Sequence, residues 1–191
     1  SSPLKEGLVS KRASEIKPKS IEWLWNGKIA KGKTTLIAGM PGLGKSQVAI
    51  YLSACVSAGL KFPASNEFSK KGSVIILSSE DDPADTIIPR LQAVGADLEK
   101  IHIILSVRKM FREKLRETTF DLSEDLEMLI NKIDEIGDVS LVIIDPISAY
   151  LGQTDSHKNA EVRALLSTLI AVASDKAIAV VGITHLNKSD S

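Results

Sequence analysis

A chain of 191 residues is long enough for one domain with a full core, and its 24 basic and 24 acidic residues cancel, leaving no global field to attract nucleic acid. A single cysteine, Cys55, excludes an internal disulfide framework, and no run of about 18 apolar residues marks a membrane-spanning helix. With a polar N-terminus carrying Lys5, Lys11 and Arg12, these features predict a cytoplasmic setting without a membrane partner.

Residues 1–20 are polar, lack periodicity and contain Pro3 and Pro18, which predicts a lead-in to a domain spanning 21–191. Ile21-Glu22-Trp23-Leu24-Trp25 holds both tryptophans, and Asn26-Gly27 follows as a turn. Two roles suit this patch: an anchor on the core, or a wall beside a nucleotide base. Thr34–Ala38 reads as a buried strand and Gln47–Ala58 as a helix rich in Ala, Val, Ile and Leu.

Between them, Gly39-Met40-Pro41-Gly42-Leu43-Gly44-Lys45-Ser46 fits G-x-x-x-x-G-K-[ST]. Strand, loop, helix is the context in which this pattern cradles a polyphosphate: glycines turn backbone N–H groups inward, and the helix N-terminus adds partial positive charge. Lys45 reaches the terminal phosphates, and the Ser46 hydroxyl is a ligand for Mg²⁺. Gly39 through Ser46, with Gln47 at the helix start, are the candidate nucleotide-binding residues.

Gly59–Gly72 is a loop by composition, and Ser73–Ser79 is an apolar run of the kind found in strands covered on both faces. It ends at Glu80-Asp81-Asp82-Pro83, where Asp82 reads as an N-cap and Pro83 as the first helical residue; Pro89 interrupts or kinks that helix and Gly95 stops it. Ile101–Leu105 is a short strand. Val107–Thr119 loses periodicity, and Arg108, Lys109, Arg112, Lys114 and Arg116 outnumber Glu113 and Glu117. This is a solvated connector or hairpin, with contact to a polyanion as the sharper reading.

Leu122, Leu126, Leu129, Ile130, Ile133 and Ile136 recur at helical spacing before Gly137. Leu141–Ile144 is a strand delivering Asp145 at its end, Ile147–Asn159 a polar loop, Val162–Ala173 an amphipathic helix, and Ala177–Ile183 a strand ending at Thr184-His185. Alternating strands and helices predict a mainly parallel sheet with helices on both faces, its ligand at the carboxyl ends of the strands.

The P-loop, Glu80, Asp145 and His185 each follow a strand directly, so all four should meet at one edge. Mg²⁺ needs oxygen ligands, which makes Asp145 the partner of Ser46. Hydrolysis needs a group to orient or deprotonate water, the role given to Glu80, since Asp81 and Asp82 read as turn and cap residues. His185 is placed to sense the terminal phosphate.

The P-loop, Ser-Ser-Glu-Asp-Asp-Pro after the second strand, Leu-Val-Ile-Ile-Asp-Pro, and Thr-His-Leu-Asn-Lys-Ser after the fifth together resemble the RecA-like ATPase core, specifically the RepA-like replication helicases of plasmids and phages. The resemblance runs from about Ile21 to the end. It implies a three-layer RecA-like α/β sandwich and Mg²⁺-dependent hydrolysis of ATP, with Lys45, Glu80 and His185 catalytic and Ser46 and Asp145 at the metal. It also implies a homo-oligomeric ring such as a hexamer, and translocation along and unwinding of single-stranded DNA in replication. Loops after the fourth and fifth strands face DNA in such rings, which brings His157 and Lys158 beside Arg108 and Lys109 as candidate DNA contacts. Those rings complete each site with a neighbour's arginine, carried by strands beyond the point matching Ser191. The chain is therefore expected to be a core without those strands, binding ATP but turning over slowly alone.

Other readings share parts of the pattern. A RecA-like ATP-dependent switch or recombinase without helicase activity uses the same residues. Asn187-Lys188-Ser189-Asp190 spells the N-K-x-D signature of GTPases; against it, Asp145 is followed by Pro146-Ile147-Ser148, so the D-x-x-G switch is missing. Arg108–Arg116 also suits the arginine-rich lid of a small-molecule kinase, which would release phosphorylated product instead of phosphate.

Overall fold

The computed structural model describes residues 8–151 and 159–185, without the side chains of 159–163. His157, Lys158, the tail after 185 and its N-K-x-D motif lie outside the described residues. In chain order the elements are β1 (Trp23–Trp25), β2 (Ile29–Ala30), β3 (Lys33–Gly39), α1 (Lys45–Ala58), β4 (Ser73–Ser78), α2 (Ile88–Ala93), β5 (Ile101–Ile104), β6 (Val107–Phe111), β7 (Lys114–Thr118), α3 (Leu126–Ile136), β8 (Val139–Asp145), α4 (Asn159–Lys176) and β9 (Ala179–His185).

Five parallel strands form the central sheet in the order β3-β9-β8-β4-β5. Successive side chains of a strand point to opposite faces, so the apolar runs sort into two rows. Ile76, Ile143 and Val181 are register partners across β4, β8 and β9, and they pack with Leu52 and Val56 of α1 and Leu91 of α2. One residue earlier, Ile75, Val142 and Val180 form the opposite row against Leu129 and Ile133 of α3 and Leu169 and Ala173 of α4. Both faces are covered, which is why these strands read as unbroken apolar runs. The result is the three-layer α/β sandwich of RecA-like type expected from the sequence.

Three local readings are decided by the fold. The tryptophans do not flank a base. Trp25 stacks on Phe62, with centroids 5.2 Å apart and planes 6° from parallel. Trp23, Leu24 and Phe62 line a groove with Ser140, which sits at the start of β8, on the sheet edge opposite the P-loop. The patch is an anchor on the amino ends of the strands. Second, Ile147–Asn159 does not begin as a polar loop. Ile147–Tyr150 is a 3₁₀ turn with Ile147, Tyr150 and Leu151 buried. Tyr150 meets Phe120 edge-on at 6.2 Å, and its carbonyl accepts from the Leu122 amide at 2.8 Å. Third, Leu122 belongs to the core but not to α3, which starts at Leu126.

The helix expected after Asp82 comes in two parts. Asp82 caps it, its side chain accepting from the amides of Ala84 at 2.8 Å and Asp85 at 3.1 Å. The first turn, Pro83–Ile87, is wound as a π-helix and passes into α2 at Ile88, next to Pro89. Residues 8–20 are exposed throughout and add to neither core. Among the described residues no helix is long and apolar enough to cross a membrane.

Candidate nucleotide and metal site

The carboxyl ends of the strands assemble the site through their pairing. Gly39, the last residue of β3, lies in register with His185, the last of β9. Ser78 of β4 lies in register with Asp145 of β8, and the next amide, of Ser79, donates to the Asp145 carbonyl at 3.2 Å. The four strand-end positions read from the sequence thus do share one edge.

The loop from Gly39 to Lys45 turns at Gly42 and Gly44, whose φ angles of 80° and 77° favour glycine. A Cβ at either would meet nothing within 4 Å, so the requirement is conformational and the space above the loop is open. Gly44 is also the N-cap of α1 and offers no side chain to its first amides. A helix start with unsatisfied N–H groups facing open space is a ready anion site. Lys45 is buried, and its Nζ donates to the carbonyls of Gly39 at 2.9 Å and Met40 at 2.8 Å. Those bonds fold the ammonium back against the loop.

The open space is a cleft of about 290 Å³, bounded by Gly42, Gly44 and Lys45 on one side and by Glu80, Arg90 and His185 on the other. Ser46 and Gln47 also line it. Met40, Pro41 and Leu43 shape the loop, and Leu43 is largely exposed. His185 Nε2 comes within 3.4 Å of Glu80 Oε1. That is ion-pair range without hydrogen-bond alignment, and among the described residues both ring nitrogens are otherwise unpartnered.

Asp145 is buried, and among the described residues its Oδ1 has no hydrogen-bond partner. Burial raises its carboxyl above the ordinary value; the Ser46 hydroxyl opposes this, the Glu80 and Asp81 carboxylates add to it, and His185 opposes it. A buried, under-satisfied carboxylate beside a serine hydroxyl and two further acids suits a divalent cation. Among the described residues no group of three or more His, Cys, Asp or Glu side chains forms a protein-only metal cage. That fits an ion held by one carboxylate, one hydroxyl, phosphate and water, as Mg²⁺ is.

The folded protein holds the Asp145 proton more tightly than the unfolded chain. Stability is therefore lost as pH rises from the ordinary carboxylate value of 3.8 through the raised value in the fold. Without Mg²⁺, the Tm of Asp145→Asn relative to the parent should increase across that window. Calorimetry at several pH values in chelator checks this; a difference that falls as pH rises would contradict it.

Two residues of the site have no signal in the sequence. Arg90 lines the cleft from α2, with Nη1 2.7 Å from Asp81 Oδ2; nothing local pairs positions nine apart across a π-helical turn. Tyr150 is buried near Asp145 and Ser79, and burial, reinforced by the Asp145 charge and opposed by the Ser79 hydroxyl, pushes its phenol up to about 12. Its position in a polar-looking loop hides it.

Strand, glycine loop and helix, with an acid at the end of β8 on the same edge of the sheet, define a P-loop nucleotide-binding protein. A family model described as the AAA domain matches residues 1–191. The chain belongs to this family of P-loop ATPases. No curated protein matches the sequence.

Proposed function

We propose that this chain is the ATPase core of a RepA-like replicative helicase, spanning 21–191 after a lead-in, and that it couples ATP hydrolysis to movement along single-stranded DNA. The observation that carries the reading is the convergence of Lys45, Ser46, Glu80, Asp145 and His185 on one edge, with His185 3.4 Å from Glu80. On this reading the helix start of α1 and Lys45 hold the phosphates. Glu80 takes a proton from water in line with the terminal phosphate, leaving the site to stabilise charge on the transferred group. Ser46 and Asp145 would hold Mg²⁺, which when bound supplies positive charge to the phosphate oxygens.

His185 stands at the end of β9 in register with the first P-loop glycine, a position from which loss of the terminal phosphate is felt by the segment that follows. That is the link between hydrolysis and DNA. Assembly as a homo-oligomeric ring, with an arginine from a neighbour completing each site, and a cytoplasmic location belong to the same proposal and rest on the family resemblance.

Phosphate release from ATP and Mg²⁺ should rise about tenfold when single-stranded DNA is added, the change that about 1.4 kcal/mol off the barrier gives. Unchanged release with DNA present, or preference for GTP, would overturn the reading. Stimulated hydrolysis without strand displacement would reassign the chain to an ATP-driven switch or recombinase.

A further inference from the structure

The β6–β7 hairpin takes no part in the nucleotide cleft. It follows β5, which occupies the sheet edge away from the P-loop strand, and its register pairs Val107 with Thr118 through to Phe111 with Lys114. Its base is fixed in place. Val107 is buried with Phe120 in the core, Arg108 Nε donates to Glu117 Oε1 at 2.8 Å, and Lys109 Nζ lies 2.7 Å from Asp125 Oδ1 and 2.8 Å from Glu124 Oε2. Arg108 and Lys109, the two cations expected from the sequence to meet DNA, thus each have a carboxylate partner within the hairpin's own footing.

The tip has the opposite character. Arg112, Lys114 and Arg116 have no carboxylate partner among the described residues, and Glu113 is the one acid between them. The guanidinium carbons of Arg112 and Arg116 lie 5.5 and 5.0 Å from the Phe111 ring centroid. Phe111 is 51 % exposed, and Met110 at 67 % and Leu115 at 62 % form an exposed cross-strand pair on the hairpin's other face. The turn itself, Arg112-Glu113, has positive φ at both residues, the two-residue form whose twist matches the strands and holds a hairpin straight.

Unpaired cations held close together repel one another until an anion joins them, and an exposed flat ring among them is wasted on a simple phosphate. The partner that satisfies both is a chain of phosphates carrying unstacked bases. A purely apolar protein groove would leave the cations unanswered, so charge complementarity decides between the two. We propose that the tip of the β6–β7 hairpin binds single-stranded nucleic acid, with Arg112, Lys114 and Arg116 on phosphates and Phe111 as the stacking platform. This deepens the DNA part of the function proposed above, on which it rests, and locates the contact on the hairpin tip instead of on Arg108 and Lys109.

The test is anisotropy of a labelled oligothymidylate of about 20 residues, long enough for one extended site, titrated at several salt concentrations. The triple variant Arg112→Ala/Lys114→Ala/Arg116→Ala should bind at least tenfold more weakly at low salt, with its log–log salt slope shallower by about 2. Phe111→Ala alone should weaken binding by about fivefold or more with the slope unchanged, as loss of one stacked base does. Both should bind ATP as the parent does, since these side chains lie outside the cleft. Parent-like affinity and slope in the triple variant would overturn the hairpin site, while DNA-stimulated hydrolysis would still stand. Failure of the parent to bind the oligonucleotide would sink both. Equal affinity for duplex of the same length would remove the single-strand assignment. Unchanged DNA affinity with altered self-association would make the tip a protein-docking element instead.

Discussion

Lys45→Ala is expected to weaken ATP binding by roughly 30- to 150-fold, the effect of losing about 2–3 kcal/mol from hydrogen bonds to a charged group. In the ligand-free protein the ammonium is already engaged by the carbonyls of Gly39 and Met40, at 2.9 and 2.8 Å, so phosphate must draw it outward or share it. Its side chain is buried, which removes competing water from the contact. A Lys45→Met variant separates charge from bulk by keeping a long apolar stem. Both variants should lose affinity alike while melting near the parent. Titration with a fluorescent ATP analogue reads this, and binding within threefold of the parent in Lys45→Ala would show that phosphate is held elsewhere.

Glu80→Gln is expected to leave ATP affinity within a few-fold of the parent while lowering hydrolysis by about 10²- to 10⁴-fold, the range for removing a positioned general base. The structure favours Glu80 among three consecutive acids. Asp81 is paired with Arg90 at 2.7 Å, and Asp82 accepts from two amides at the start of the π-helical turn. Glu80 faces the cleft, with His185 Nε2 3.4 Å from its Oε1. Its chain segment is tied to the metal-side strand by the Ser79 amide on the Asp145 carbonyl, which fixes the distance between base and metal sites. Glutamine keeps the shape and loses the proton acceptor. Single-turnover hydrolysis with pre-bound ATP isolates this step; a rate within tenfold of the parent would move the base to another residue.

Much of this site is legible in the sequence because its chemistry follows strand ends, and strand ends are marked by where apolar runs stop. Thr34–Ala38 read as a strand is Lys33–Gly39 in the fold, and Leu141–Ile144 is Val139–Asp145; these offsets of a residue or two leave Gly39 and Asp145 at the edge. Asp82 as cap and Pro83 as first helical residue are readable from one dipeptide, because a cap acts on amides only two or three residues away. What misleads is composition without neighbours. Ile147–Asn159 looks polar as a whole, yet its first turn is buried beneath β9: a Cβ on Gly182 would come within 3.1 Å of Ile147 Cδ1. The charges of 107–119 add up to a basic segment, yet register sets Arg108 against Glu117 and the loop before α3 brings Asp125 to Lys109.

The sequence by itself determined the layered α/β class, the phosphate loop and the acids available to it, because each depends on contacts within a strand, a turn or one helix start. Tertiary structure alone decided where the groups that do not follow a strand end came to lie. Trp23 and Trp25 were assigned to the amino ends of the strands, Arg90 was brought into the cleft against Asp81, and the cations of the hairpin were divided into an ion-paired base and an open tip. Those are facts of strand order and register, in which residues far apart in the chain become neighbours, and no local pattern of side chains encodes them.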